Sequence, residues 1–289
     1  MMRPETSWVD RTAYPFQSRY RSLSAGEMHY LDEGQGDTAL FIHGTPTWSF
    51  EYRHVIAALS KRHRCIAPDH LGFGLSERPA GFGYTPEAHA EALREFVERM
   101  RLDRFTLVVH DFGGPIGLPL ALPPHSLVQK LVVMNSFAWP LNDDPKLAGG
   151  ARMAAGPVGR WLYKYANASQ RLIMPSAYGD KKKLTRAIHQ QYLEVFRDRD
   201  ARVQVLHVLA KALLQSRAHY QSLLAALPSL PVPTLLLWGL KDSAFQPYQL
   251  ARWQALLPHA ATVTLEHAGH WPHEEEPARV VEAIERFLN

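Results

Sequence analysis

The chain predicts an α/β fold with a mostly parallel central sheet flanked by helices, and three observations carry that prediction. Short apolar runs alternate with amphipathic stretches of helical period, the pattern of a sheet covered on both faces. Three of the apolar runs end in turn residues that bear reactive side chains. The alternation stops between about Phe137 and Leu223 and then resumes, which points to a helical insertion between two core strands.

The strand candidates follow in chain order. They are Ala39-Leu40-Phe41-Ile42, Cys65-Ile66-Ala67, Phe105-Thr106-Leu107-Val108-Val109 and Leu131-Val132-Val133-Met134, then Thr234 to Trp238 and Thr262 to Leu265. A polar-alternating stretch, Glu27 to Leu31, reads as an antiparallel edge strand. Thr85 followed by Pro86 marks a helix start, with Leu93, Phe96, Val97 and Met100 on one face. Pro277 opens the last helix, where Val280, Val281, Ile284, Phe287 and Leu288 share a face. Pro119 falls inside the helix expected after Asp111, so that helix should kink or end early. The expected division is a core of residues 1–136 and 224–289 with a helical cap at 137–223.

Composition narrows the function classes. With 46% hydrophobic and 21% charged residues, the chain has the makeup of a soluble globular protein with a sizeable core. The net charge of +4 is spread out apart from Lys61 to Arg64 and Lys181 to Lys183. Neither run is interleaved with stacking aromatics, so both read as solvated surface rather than a nucleic-acid or membrane patch. Cys65 is the only cysteine and lies in an apolar run, which suits a buried small hydrophobe. Met1 to Tyr20 lacks the apolar run of a signal peptide, and no stretch approaches the roughly 18 apolar residues a membrane helix needs. A cytoplasmic monomer or weak dimer without nucleic-acid or membrane partners is expected.

Chemistry concentrates at strand ends. Val108-Val109-His110-Asp111-Phe112-Gly113-Gly114 has the strand, glycine, helix shape of a nucleophile elbow, with Asp111 at the apex. On its own, Asp-x-Gly-Gly is equally a helix cap. Trp238-Gly239-Leu240-Lys241-Asp242 places a second carboxylate past another strand, and Ala268-Gly269-His270 places a histidine past the last. The order nucleophile, acid, histidine is that of the α/β-hydrolases. Carboxyl ends of parallel strands are also where open α/β sheets build sites. Phe41-Ile42-His43-Gly44-Thr45-Pro46 has the form of an oxyanion-hole turn, with the amides of Thr45 and Phe112 as donors. Asp69-His70-Leu71-Gly72-Phe73-Gly74 reads as scaffold.

These motifs resemble those of the haloalkane dehalogenases: His43 to Ser49, Asp69 to Ser76, Val108 to Gly114, Trp238 to Asp242 and Ala268 to His270. The resemblance runs from about Tyr30 to the C-terminus. It implies an α/β-hydrolase fold with an inserted helical cap, no cofactor and no metal, acting on a small hydrophobic electrophile and water. Asp111 would displace a leaving group and form an alkyl ester. His270, oriented by Asp242, would then activate water against that ester.

The leaving-group site departs from the family. Haloalkane dehalogenases commonly place Trp after the nucleophile and Asn at the position of Thr45 to hold halide. Here Phe112 has no N–H and the Thr45 side chain has only a hydroxyl. Trp48, Trp139 and Trp161 are the pocket candidates, with Trp139 and Trp161 as substitute donors. Epoxide hydrolases share the Asp nucleophile and use cap tyrosines as acids, for which Tyr163, Tyr165, Tyr178 and Tyr192 are available; a β-lactone-cleaving relative is a further alternative. A catalytically silent ligand-binding member of the fold is the alternative of another class. His267, His270 and His273 have zinc-like spacing, but a triad role for His270 removes it from any metal set.

Overall fold

The computed structural model describes residues 6–122 and 126–289. Its centre is an eight-stranded sheet in the order β1-β2-β4-β3-β5-β6-β7-β8. The strands are β1 Arg19–Ser22, β2 Glu27–Glu33, β3 Thr38–Ile42, β4 Arg64–Pro68, β5 Phe105–Asp111, β6 Val128–Ser136, β7 Thr234–Gly239 and β8 Ala261–Leu265. From β4 to β8 all neighbours pair in parallel, whereas β2 is antiparallel to both β1 and β4. The chain therefore has the α/β-hydrolase fold, as its apolar alternation predicts.

The central strands are apolar because helices cover both faces. Every residue of β5 and of β7 is buried. Edge strand β8 is mostly exposed, and its Thr262 and Thr264 face water while Leu265 is buried. One expectation needs correction: Glu27 to Leu31 forms β2 but is not the edge, since β1 pairs outside it. Four residues of sequence Arg-Tyr-Arg-Ser carry too little apolar alternation to announce a strand.

The helices begin and end for legible reasons. Thr85 accepts from the amide of Ala88 and caps the helix Pro86–Arg99, which buries Leu93, Phe96 and Val97. The helix after Asp111 runs only from Gly113 to Gly117 before tightening into a 3₁₀ turn, Leu118–Ala121. Pro119 has no N–H to continue the α-helical ladder, so the early end follows. The C-terminal helix, Pro277–Leu288, buries Val280 and Ile284.

Between β6 and β7 the chain is helical, from Pro145–Ala155 through Arg217–Ala226. Three stretches in it are π-helical: Leu162–Ala166, Ser169–Ile173 and Arg202–His207. Most of the large exposed hydrophobics of the described residues lie here, including Met153, Val158, Trp161, Leu172 and Ile173. Two buried glutamates are among this segment's polar joints to the rest of the chain. Arg53 makes a two-nitrogen contact with Glu274, and the Tyr192 hydroxyl donates to the same carboxylate. Glu275 accepts from the amides of Gly269, Gly179 and Asp180.

Candidate active site at the carboxyl edge of the sheet

Asp111 is the last residue of β5 and stands at φ 50°, in the left-handed region. A side chain held there costs about 1–3 kcal/mol and persists only where surrounding structure enforces it. The enforcement is visible. The backbone oxygen of Asp111 accepts from the Ser136 hydroxyl at 2.6 Å. Gly44 lies so close that a Cβ there would meet the Asp111 Cβ at 2.3 Å, and a Cβ on Gly114 would meet the Ser136 hydroxyl at 2.0 Å. Small residues on both sides of the bend are what let the carboxylate stand above the sheet. It is not consumed in helix capping: the helix that follows has no side-chain cap from Phe112, and the Asp111 carboxylate turns to Thr45 and His270.

The sequence-predicted groups converge on that carboxylate. The Thr45 amide donates to Asp111 Oδ1 at 2.7 Å. His270 Nε2 lies 3.5 Å from Asp111 Oδ2, and His270 Nδ1 lies 2.7 Å from Asp242 Oδ2. Asp242 follows the end of β7, and His270 follows β8. Phe112 is buried at the start of the short helix, its ring edge-on to Phe137 at 5.2 Å. Phe245 stacks on Phe137 and also lies against the His270 ring, each at 5.5 Å. Ring carbon therefore walls the carboxylate and imidazole, a low-dielectric setting in which fixed charges act strongly.

Electrostatics follow from that burial. Desolvation works against a charged His270, yet Asp242 and Asp111 outweigh it and raise the imidazole to about 10. For Asp242, burial favours the neutral acid, but the charge and hydrogen bond of His270 prevail and hold it below the usual carboxylate range. His270 thus lies between two carboxylates, both of which favour its charged form. Removing the charge of Asp111 would remove part of what holds that proton.

Several contributors escaped the sequence reading. Asn135, at the end of β6, donates to Asp242 Oδ2 at 2.8 Å while its own oxygen accepts from the Gly239 amide. The polar pair Asn135-Ser136 closing an apolar strand was the available signal, and both residues prove to be supports of the site. Tyr220 was also missed. Among the described residues its buried hydroxyl has no hydrogen-bond partner, its ring packs on Phe137 at 5.6 Å, and burial, then the charges of Glu87 and Asp111, raise its pKa. Asp69 behaves as scaffold, accepting from the amides of Ser49 and Leu75 and from His29.

The pocket expectations are corrected in part. The Trp139 indole N–H donates to Gln249 and its ring packs on Trp253, so it is committed elsewhere. Trp161 is 58% exposed against Tyr165, and neither takes the place of a halide donor. Trp48 is buried among Trp8, Tyr14 and Phe50, and its indole N–H has no hydrogen-bond partner among the described residues. Among the candidate tyrosines, Tyr163 has burial and then the charge of Asp111 pushing it up to about 12. Tyr192 is bonded to Glu274, Tyr178 stacks on Trp271, and Tyr165 is half exposed. Cys65 is buried, and burial pushes its thiol up to about 12, so it is a packing residue. Among the described residues, the three potential metal donors that converge are Glu51, His110 and His273, within 4.8 Å of one another. They are not the His267, His270, His273 set that spacing suggests.

Comparison with known proteins agrees with this geometry. The family model described as alpha/beta hydrolase fold matches residues 39–277. Haloalkane dehalogenase 2 of Mycobacterium tuberculosis is 39% identical over 282 residues, covering 96% of this chain and 97% of the relative. A cis-3-alkyl-4-alkyloxetan-2-one decarboxylase of Shewanella oneidensis is 31% identical over 294 residues, covering 96% and 90%. The solved haloalkane dehalogenase of Bradyrhizobium elkani shares the fold, with a TM-score of 0.82 at 24% identity over 94% of this chain and 97% of that one. With its motifs, sheet order and relatives in agreement, the chain belongs to the α/β-hydrolase fold family and is an enzyme of the haloalkane dehalogenase-like type.

Proposed function

We propose that Asp111, His270 and Asp242 form the catalytic triad of a two-step hydrolase. One observation carries the reading: a carboxylate at a left-handed bend has a backbone amide on one oxygen and an imidazole 3.5 Å from the other. In the first step an Asp111 oxygen attacks a saturated carbon, a C–O bond forms, and the leaving group departs with its electron pair. No base is needed, because a carboxylate oxygen attacks without giving up a proton.

Esterification removes the Asp111 charge, and His270 then loses two of the influences that raise it. A proton held by His270 is then released to solvent, and the neutral imidazole that remains can act as a base. Water adds to the Asp111 carboxyl carbon and gives its proton to His270. The Thr45 and Phe112 amides take the oxyanion, and such donors contribute about 2.7–4 kcal/mol each. Collapse returns the proton to the departing alkoxide and frees an alcohol. Asp242, backed by Asn135, holds the imidazole throughout. Residues 137–223 act as a cap over this edge, supplying Tyr163 and Tyr220, for a small hydrophobic electrophile.

A second reading concerns the leaving group. The charge of Asp111 is felt by two phenols, Tyr163 and Tyr220, and there is no indole N–H at Phe112. Phenol suits a departing oxygen better than a halide, so ring opening of an epoxide or β-lactone is favoured over dehalogenation. The Shewanella relative is named for action on an oxetan-2-one, which is a β-lactone. The test is intact-mass measurement of His270→Phe incubated with 1-bromobutane, 1,2-epoxybutane or β-butyrolactone. A stable adduct mapping to Asp111 is expected, strongest with the cyclic oxygen electrophiles. Unchanged mass with all three would refute the reading.

A further inference from the structure

We propose that His110, backed by Glu51, is a positioning residue for the hydrolytic step, clamping the His270 loop to the nucleophile's own strand. The inference rests on the two-step reading above and concerns residues that reading does not use. His110 immediately precedes Asp111 on β5 and is buried. Its Nε2 lies 2.8 Å from the backbone oxygen of His270. A carbonyl only accepts, so Nε2 carries the proton. The other ring nitrogen, Nδ1, faces Glu51 Oε1 at 3.2 Å. A hydrogen bond there needs one shared proton, as imidazolium facing carboxylate or as carboxylic acid facing imidazole. Either arrangement orients the ring identically.

Glu51 is itself fixed. It is fully buried, and its second oxygen meets the Thr47 hydroxyl, within the turn that presents the Thr45 amide. The network Thr47–Glu51–His110–His270 therefore links the oxyanion turn, the nucleophile strand and the histidine loop. Asp242 holds His270 by its side chain, and the Ala177 carbonyl accepts from the His270 amide. His110 adds a hold on the carbonyl of the same residue, from the strand that carries the carboxylate to be hydrolysed.

The position of His270 matters unequally to the two steps. Carboxylate attack on carbon proceeds without a base, whereas hydrolysis needs Nε2 within reach of a water on the Asp111 carboxyl carbon. A displacement of about 1 Å can slow such a step about 10²-fold. A purely structural role for His110 would instead scale both steps by the fraction of folded protein.

The experiment separates these outcomes. Pre-steady-state mass measurement follows ester formation and ester loss in wild type, His110→Phe, His110→Gln and Glu51→Leu, using whichever of the three electrophiles labels His270→Phe. His110→Phe should form ester within about 3-fold of the wild-type rate and lose it about 10–100-fold more slowly. His110→Gln, which restores an N–H toward the carbonyl, should recover at least part of the loss. Glu51→Leu, which leaves His110 without its anchor, should also slow ester loss selectively, and it carries the test if His110→Phe does not fold. Equal slowing of both steps, or no slowing of ester loss in the folded variants, would overturn the proposal. Failure of His270→Phe to accumulate any ester would instead strike the two-step reading itself.

Discussion

The carboxyl edge of the sheet and the helical segment between β6 and β7 solve different problems with different chemistry. At the sheet edge, Asp111 ends β5, and Asp242 and His270 lie three and five residues past the ends of β7 and β8, so the strand ladders hold the segments that carry them. Parallel strands held by ladders on both sides leave little freedom at their ends, and a site built there is rigid. The helical segment has short helices broken by π-helical stretches and many exposed apolar side chains. Its polar joints to the edge include Glu274 and Glu275, both just after His270, and the Ala177 carbonyl that accepts from the His270 amide. In the proposed reaction the bond-making groups sit on the stiff region, and the tyrosines proposed to meet the leaving group come from the looser one.

Removing a group from the stiff region should have the largest effect. Asp111→Ala should lower turnover by at least about 10³-fold while circular dichroism stays native, as losses of nucleophiles do. Retained turnover would break the distinction between the regions. Next comes the joint. Arg53→Met strands Glu274 as a buried carboxylate without its cation, and breaking such a pair typically costs about 3–5 kcal/mol. Denaturant unfolding should show that loss; a change below about 1 kcal/mol would mean that the joint is not under electrostatic tension.

A smaller effect is expected from the helical segment's own chemistry. The double substitution Tyr163→Phe, Tyr220→Phe should slow opening of an epoxide or β-lactone about 10²-fold, a common contribution of a positioned acid. The same variant should leave any reaction with 1-bromobutane nearly unchanged. Equal slowing of both substrates would assign the tyrosines to packing.

The buried charges at the edge also give a pH signature. His270 is raised to about 10 in the folded chain, against about 6.5 unfolded. A raised pKa contributes stability that is complete below about pH 6.5 and is lost as pH climbs toward about 10. The stability of wild type relative to His270→Phe should therefore fall steadily across that window. A difference that grows with pH would contradict the assigned charge state. The smallest effect belongs to Trp161→Ala, where a 58% exposed indole should contribute less than about 0.5 kcal/mol by thermal unfolding.

The same contrast explains what the sequence reveals. Asp111, Asp242, His270 and Thr45 are legible because each follows an apolar run, and position after a strand is a local property. Phe112 is legible as a missing donor for the same reason. Asn135, Glu51, His110 and Tyr220 act through partners tens to more than a hundred positions away, and no local pattern announces such pairs. Trp139 illustrates the converse: its residue type and chain position fit a donor, but the Gln249 side chain takes its N–H. Strand β1 was too short and polar to read, although the turn from Leu23 to Gly26 joins it to β2.

The central claim, that the oxygen delivered to the product comes first from Asp111, is tested most directly by isotope transfer. A single turnover in ¹⁸O-labelled water should yield an alcohol whose new hydroxyl contains ¹⁶O, while peptide mass mapping finds ¹⁸O in the Asp111 carboxylate. An ¹⁸O hydroxyl in the first product, with Asp111 unlabelled, would mean that water attacks the substrate directly and that no enzyme ester forms.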